Sequence, residues 1–136
     1  MKIFLDANVI FSGANPESAL HQLLLLASKR ATLITSTYAF EEAKRNLTLK
    51  RPEWKDGLHV LKSSFQVVEG IDRDVQVSLP KKDRPILATA IAENCQILVT
   101  GDKRDFGHLF DQTIQSVTIL SPLQFARHYK EDQLKD

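Results

Sequence analysis

The sequence predicts an α/β fold, a parallel sheet covered by helices on both faces. Two observations predict it. Runs that are largely apolar, KIFL at 2–5, CQILVT at 95–100 and SVTIL at 116–120, are those of strands buried on both sides. Segments of helical length separate them, with apolar residues three and four apart, and that alternation builds a parallel sheet. The 136 residues, 43% of them hydrophobic, suffice for one domain to bury a core without disulfides.

Each element follows from local chemistry. KIFL ends at Asp6. NPES at 15–18 reads as a helix start, with Asn15 as N-cap and Pro16 at the first helical position. That helix runs to about Arg30, with Ala19, Leu23, Leu26 and Ala27 as its apolar stripe. ATLIT at 31–35 is the second strand, and Ser36 caps a helix over 37–49 that buries Phe40, Ala43 and Leu47. Pro52 makes a break before a helix over 53–64. FQVVEG at 65–70 and VQVSL at 75–79 are both strand candidates. Asp83 and Pro85 open a helix carrying Ile86, Leu87, Ala90 and Ile91, which stops near Asn94. CQILVT is the clearest buried strand, SVTIL the last, and Ser121-Pro122 starts a closing helix. Residues 1–128 thus form a single domain, and YKEDQLKD at 129–136 reads as a solvated C-terminal tail.

Composition excludes several classes. Net charge is +1, so there is no global basic field, and a polyanion must be held by local patches. Cys95 stands alone in an apolar run, a buried thiol rather than part of a disulfide or zinc framework. Asp6 and Asn8 interrupt the first apolar stretch, which argues against a secretory signal, and LHQLLLLA at 20–27 is too short to span a bilayer. A cytoplasmic protein without a membrane partner is expected.

The chemistry lies in the acids. In an open α/β sheet, sites form beyond the carboxyl ends of strands. Asp6 ends the first strand, and Asp102 and Asp105 follow CQILVT. Asp83 opens the helix feeding that strand, and Glu41 and Glu42 lie early in the helix after the second strand. Carboxylates brought together repel unless a cation neutralises them, and oxygen-only ligands select Mg²⁺ or Mn²⁺. Such a site activates water and clamps a scissile phosphate. That is nuclease chemistry, and it needs no nucleophilic side chain.

Three stretches, LDANVIFSG (5–13), TSTYAFEEAKRNL (35–47) and above all KDRPILATAIAENCQILVTGDKRDFG (82–107), resemble the PIN domain. These are metal-dependent ribonucleases that include many toxins of toxin–antitoxin pairs. The resemblance implies a three-layer α/β/α sandwich around the parallel sheet, a Mg²⁺ or Mn²⁺ cofactor, and phosphodiester hydrolysis leaving a 5′-phosphate. It implies RNA as substrate, an antitoxin protein as partner, and a homodimer. Residue by residue it assigns catalysis to Asp6, Glu42, Asp83 and Asp102, and metal ligation to Asp6, Asp83, Asp102 and Asp105. Asn8 and Thr100 support these, Thr100 by orienting a carboxylate or a metal-bound water. Glu41 is the rival of Glu42, but it stands four before Arg45, an ordinary surface pair.

Each residue also has a plainer reading. Asp6 and Asp102 suit turns, Asp83 and Asn8 suit a cap and a loop. His21, His59, His108 and His128 are scattered without ligand spacing, and Tyr38 and Trp54 read as packing residues. Lys82, Arg84, Lys103 and Arg104, with Lys81, flank the acids and either contact RNA phosphates or form a solvated rim. Two other functions compete. Phosphoryl transfer through an aspartyl-phosphate wants a second acid near Asp6, where the chain has Asn8. A catalytically inactive PIN-like scaffold that binds RNA or protein would keep the fold alone.

Overall fold

The computed structural model describes the backbone of residues 1–135 and the side chains of residues 1–129. Six strands are β1 (Lys2–Leu5), β2 (Thr32–Ser36), β3 (Phe65–Val68), β4 (Ile97–Val99), β5 (Gln112–Ile114) and β6 (Val117–Leu120). Seven helices are α1 (Ala7–Gly13), α2 (Ala19–Ala27), α3 (Thr37–Lys50), α4 (Lys55–Lys62), α5 (Arg84–Ala92), α6 (Lys103–Phe106) and α7 (Pro122–Lys135). The strands form one sheet in the order β3-β2-β1-β4-β6-β5. All pairs are parallel except β5 with β6.

The chain steps outward from β1 through β2 to β3, then returns past β1 to β4. Crossovers between parallel strands follow the right-handed rule, and on opposite sides of that reversal the rule puts helices on both faces. Ile3, Phe4 and Leu5 of β1 and Ile97, Leu98 and Val99 of β4 are all buried, as expected of central parallel strands. The reversal between β1 and β4 is the place where such sheets hold ligands.

Several expectations are corrected. The helix expected from Asn15 starts later. Ser18 is the N-cap, its hydroxyl accepting from the His21 N–H, while the Asn15 side chain only turns back onto the Glu17 N–H. The buried face of α2 is His21, Leu24 and Ala27, and Leu26 is exposed. Helix α1 was not expected. Val9, Ile10 and Phe11 have modest helix propensity, and burial of Ala7, Val9, Ile10 and Gly13 overrides it. The segment VQVSL is a loop whose Val75, Val77 and Leu79 pack against the core without joining the sheet. The antiparallel edge strand β5 was also missed, because GHLFDQTIQ carries no clean alternation.

Other elements match. Ser36 caps α3 through the Ala39 N–H, and Ala39, Phe40, Ala43 and Leu47 are its buried face. Asn94 takes φ 59° just past α5, the left-handed turn that asparagine tolerates and that ends a helix. Cys95 is free and buried, and burial pushes its thiol up to about 11. His21 Nδ1 lies 2.7 Å from the Gly13 carbonyl oxygen, a structural role. Helix α7 continues to Lys135 with Tyr129 packed near Phe125. Of the solvated tail expected at 129–136, Tyr129 packs instead, and the side chains beyond it lie outside the described residues.

Candidate metal centre

Asp6 leaves β1 with its N–H donating to the Val99 carbonyl at 3.1 Å, which ties the end of β1 to β4. Its carboxylate caps α1. Oδ1 accepts from the Ala7 N–H at 2.7 Å, and Oδ2 accepts from Thr100 Oγ1 at 2.8 Å and Asn8 Nδ2 at 3.1 Å. Asn8 Oδ1 in turn accepts from the Gly101 N–H at 2.6 Å, and Thr100 Oγ1 accepts from the Asp102 N–H at 3.2 Å. Asn8 and Thr100 therefore lock two strand ends into one frame that aims Asp6. Burial pushes the Asp6 carboxyl above its ordinary value, the three donors oppose that rise, and the charge of Glu42 adds to it.

A cavity of about 260 Å³ opens beside this frame, lined by Asp6, Asn8, Glu42, Lys82, Asp83 and Asp102. Four acids from four separate segments thus share one opening. Glu42 lies half-buried at this cavity, whereas Glu41 points into a different depression with Lys44 and Arg45. The spacing of Glu41 to Arg45 had suggested as much.

Asp83, Asp102 and Asp105 each offer a carboxylate oxygen, and the three oxygens lie within 4.8 Å of one another. Asp6 and Glu42 stand outside that triad. Asp102 Oδ1 accepts from the Asp105 N–H at 3.1 Å and so caps α6. Asp83 occupies the N-cap position of α5 but makes no capping hydrogen bond with its side chain. Its Oδ2 is buried with no hydrogen-bond partner. Burial pushes the Asp83 carboxyl up to about 7, and the hydrogen bond to Asp105 and the Asp105 charge add to the shift. Asp105 is held below the ordinary carboxylate value, first by the hydrogen bond from Asp83. Lys82 Nζ sits 3.4 Å from Asp105 Oδ2. The hydrogen bond between Asp83 and Asp105 and the Lys82 ammonium thus ease the repulsion within the triad without cancelling its charge.

An unpartnered buried carboxylate oxygen is expensive. A divalent cation would satisfy it, and a donor set of oxygens alone fits Mg²⁺ or Mn²⁺. The residues present fit such an ion.

The expected basic residues divide. Lys82 lines the cavity. Arg84 turns away, because its guanidinium pairs with Asp72 at 2.7 and 3.0 Å and lies 3.8 Å from Asp74. Lys103 lines a neighbouring groove with Phe110 and Arg127, and Arg104 is exposed. Trp54 packs on Phe11 with ring centres 5.4 Å apart. Tyr38 does not pack as expected. It is 54% exposed at the cavity, where Phe11, Asn46 and Lys50 also contribute. Sequence reasoning passed over Phe11, Asn46 and Lys50 and read Tyr38 as packing, although 38, 42, 46 and 50 stand at the four-residue spacing of one helix face.

The PIN domain family matches residues 2–104. In three dimensions the chain resembles the crystal structure of VapBC2 from Rickettsia felis bound to a DNA fragment from their promoter. The TM-score is 0.64 at 18% identity, over 89% of this chain and 98% of that one. No curated protein matches it in sequence. Among the described residues no helix is long and apolar enough to cross a membrane. With the family matching most of its length and its sheet carrying acids at the β1–β4 reversal, the chain belongs to the PIN domain family.

Proposed function

We propose that the protein is a Mg²⁺- or Mn²⁺-dependent endoribonuclease that hydrolyses RNA phosphodiester bonds in the cytoplasm. The observation that carries this is the convergence of Asp6, Glu42, Asp83 and Asp102 on one cavity, with Asp83 Oδ2 left unpartnered beside it. Asp83, Asp102 and Asp105 would hold the cation, with Asp6 aimed at the same cavity by Thr100 and Asn8. When bound, the ion would supply Lewis-acid polarisation of the scissile phosphate and a water of lowered pKa. Thr100 and Asn8 hold Asp6 in one orientation, which removes the reorganisation a mobile carboxylate would need. Lys82, mostly exposed at the rim, balances the acids and offers a contact to the polyanion. The family and the fold likeness to VapBC2 support a toxin role, and on that reading an antitoxin protein would cover the acidic cavity and a homodimer would be the functional unit.

Single-stranded RNA incubated with the protein tests this reading. Cleavage is expected with Mn²⁺ and none with EDTA. Glu42→Gln is expected to slow cleavage by about a hundredfold, the scale for losing one charge-stabilising group. Glu41→Gln is expected to leave the rate within about twofold, as a surface pair contributes little. A wild-type protein that binds RNA without metal-dependent cleavage would make it the inactive scaffold instead.

A further inference from the structure

Helix α3 sets Tyr38, Glu42, Asn46 and Lys50 in one row, each four residues after the last, and all four line the acidic cavity. Four-residue steps space them about 6 Å apart along the helix. Glu42 belongs to the acidic site. The other three have no place in it. Among the described residues, none of the three makes a side-chain hydrogen bond or ion pair. Tyr38 keeps more than half its surface in water at the edge of a cavity built from carboxylates. An aromatic retained for packing would bury its ring, as Phe40 does two residues later. Phe11, braced by Trp54, and Ile86 give the same cavity an apolar wall.

We propose that this row is the track that positions the nucleotides flanking the scissile phosphate and sets the cleavage sequence. The proposal rests on the ribonuclease reading above. Tyr38 stacks a base on one side of the acids. On the other side, Asn46 reads a base edge and Lys50 holds the phosphate beyond it. The order along the helix follows the needs of the chain lying on it. An open ring face takes any unpaired base. An amide offering donor and acceptor together matches adenine best. A lone ammonium suits a backbone phosphate and carries no sequence information. The bases must be splayed from their neighbours to reach these groups, so the track accepts unpaired RNA and rejects duplex.

The test uses the full chain, Mn²⁺ and a random-sequence single-stranded RNA pool whose cleavage ends are sequenced. Wild type is expected to favour adenine at one fixed position beside the cut. Tyr38→Ala is expected to raise KM about tenfold, the scale for losing one stacked base, with kcat changed far less, and Tyr38→Phe restores it. Asn46→Ala is expected to flatten the adenine preference at that position alone. Lys50→Ala reduces the salt slope of binding by about one. Unchanged KM in Tyr38→Ala together with an unaltered base preference in Asn46→Ala overturns the track while leaving the nuclease intact. Should wild type cleave nothing, the nuclease reading falls by itself, and fluorescence anisotropy with the same pool decides the track: weakened binding in Tyr38→Ala upholds it, equal binding overturns it.

Discussion

Asp6→Asn is expected to abolish Mn²⁺-dependent RNA cleavage while the protein still folds. Asp6 is 5% exposed and receives three hydrogen bonds, so its charge is held in place by Ala7, Asn8 and Thr100. Asparagine keeps one acceptor oxygen but turns a donor toward Asn8 Nδ2 or Ala7 N, and one bond is lost. A lost hydrogen bond costs about 1–2 kcal/mol. Removing a charge that burial already disfavours offsets part of that loss, as the raised Asp6 pKa indicates. The net change in stability is therefore small. On the proposed ribonuclease reading activity is expected to behave differently, because a neutral amide contributes no charge where the phosphate and cation would sit. A loss of at least about a thousandfold in rate is expected, near the upper end for one electrostatic group. Cleavage assays with the melting temperature as a fold control measure both. Cleavage at the wild-type rate in a pure Asp6→Asn preparation would remove Asp6 from the machinery.

Gly57→Ala is expected to be the most damaging single methyl on the scaffold. Gly57 lies in α4, where alanine would ordinarily be favoured by about 1 kcal/mol. Here the added Cβ would fall 1.9 Å from the Ala14 carbonyl oxygen and 3.2 Å from Pro16 Cδ. Both neighbours belong to the chain just after α1, and a backbone oxygen cannot step aside as a side-chain tip does. Helix α4 must move off α1, which forfeits packing around the buried Leu58 and Leu61. Overpacking of this kind costs about 3 kcal/mol, which outweighs the propensity gain. A fall of roughly 10 °C in melting temperature is the expected outcome. A rise instead would show that the α1–α4 contact is looser than this packing.

Those two residues mark what is legible in a sequence. Asp6 was readable because an apolar run that stops at an acid marks a strand end, and strand ends of a parallel sheet gather at one edge. Asp102 was readable on the same ground, and Asp83 through its helix start. Gly57 was not readable, because its reason lies in a carbonyl more than forty residues away in sequence. Helix α1 was hidden for a related reason, since burial between the sheet and α3 overrides weak local preference. The α2 stripe slipped because LLLLA presents leucines all round, and only packing chooses among them. Arg84 beside Asp83 looked like a substrate contact, yet Asp72 across the loop takes it. The row on α3 was visible as spacing, but the exposure of Tyr38 was needed to separate it from packing.

The raised Asp83 pKa would give the proposed metal site a pH dependence whose sign is fixed. Its folded pKa of about 7 lies above the ordinary 3.8, so the folded state binds more protons than the unfolded one between those values. Without metal, stability therefore falls as pH rises through that window and stays lowered above it. On the proposed metal reading, a cation competing for the same carboxylate would bind best above pH 7 and would have to displace the proton below it.

Mn²⁺ titration by calorimetry, of wild type and Asp83→Asn above and below pH 7, tests directly whether these acids share a cation. Wild type is expected to bind Mn²⁺ above pH 7, to weaken by up to about tenfold per pH unit below it as one proton is displaced, and Asp83→Asn to bind weakly without that dependence. Equal binding by the two proteins with the same pH profile, or none by either, would contradict a metal centre built from these acids.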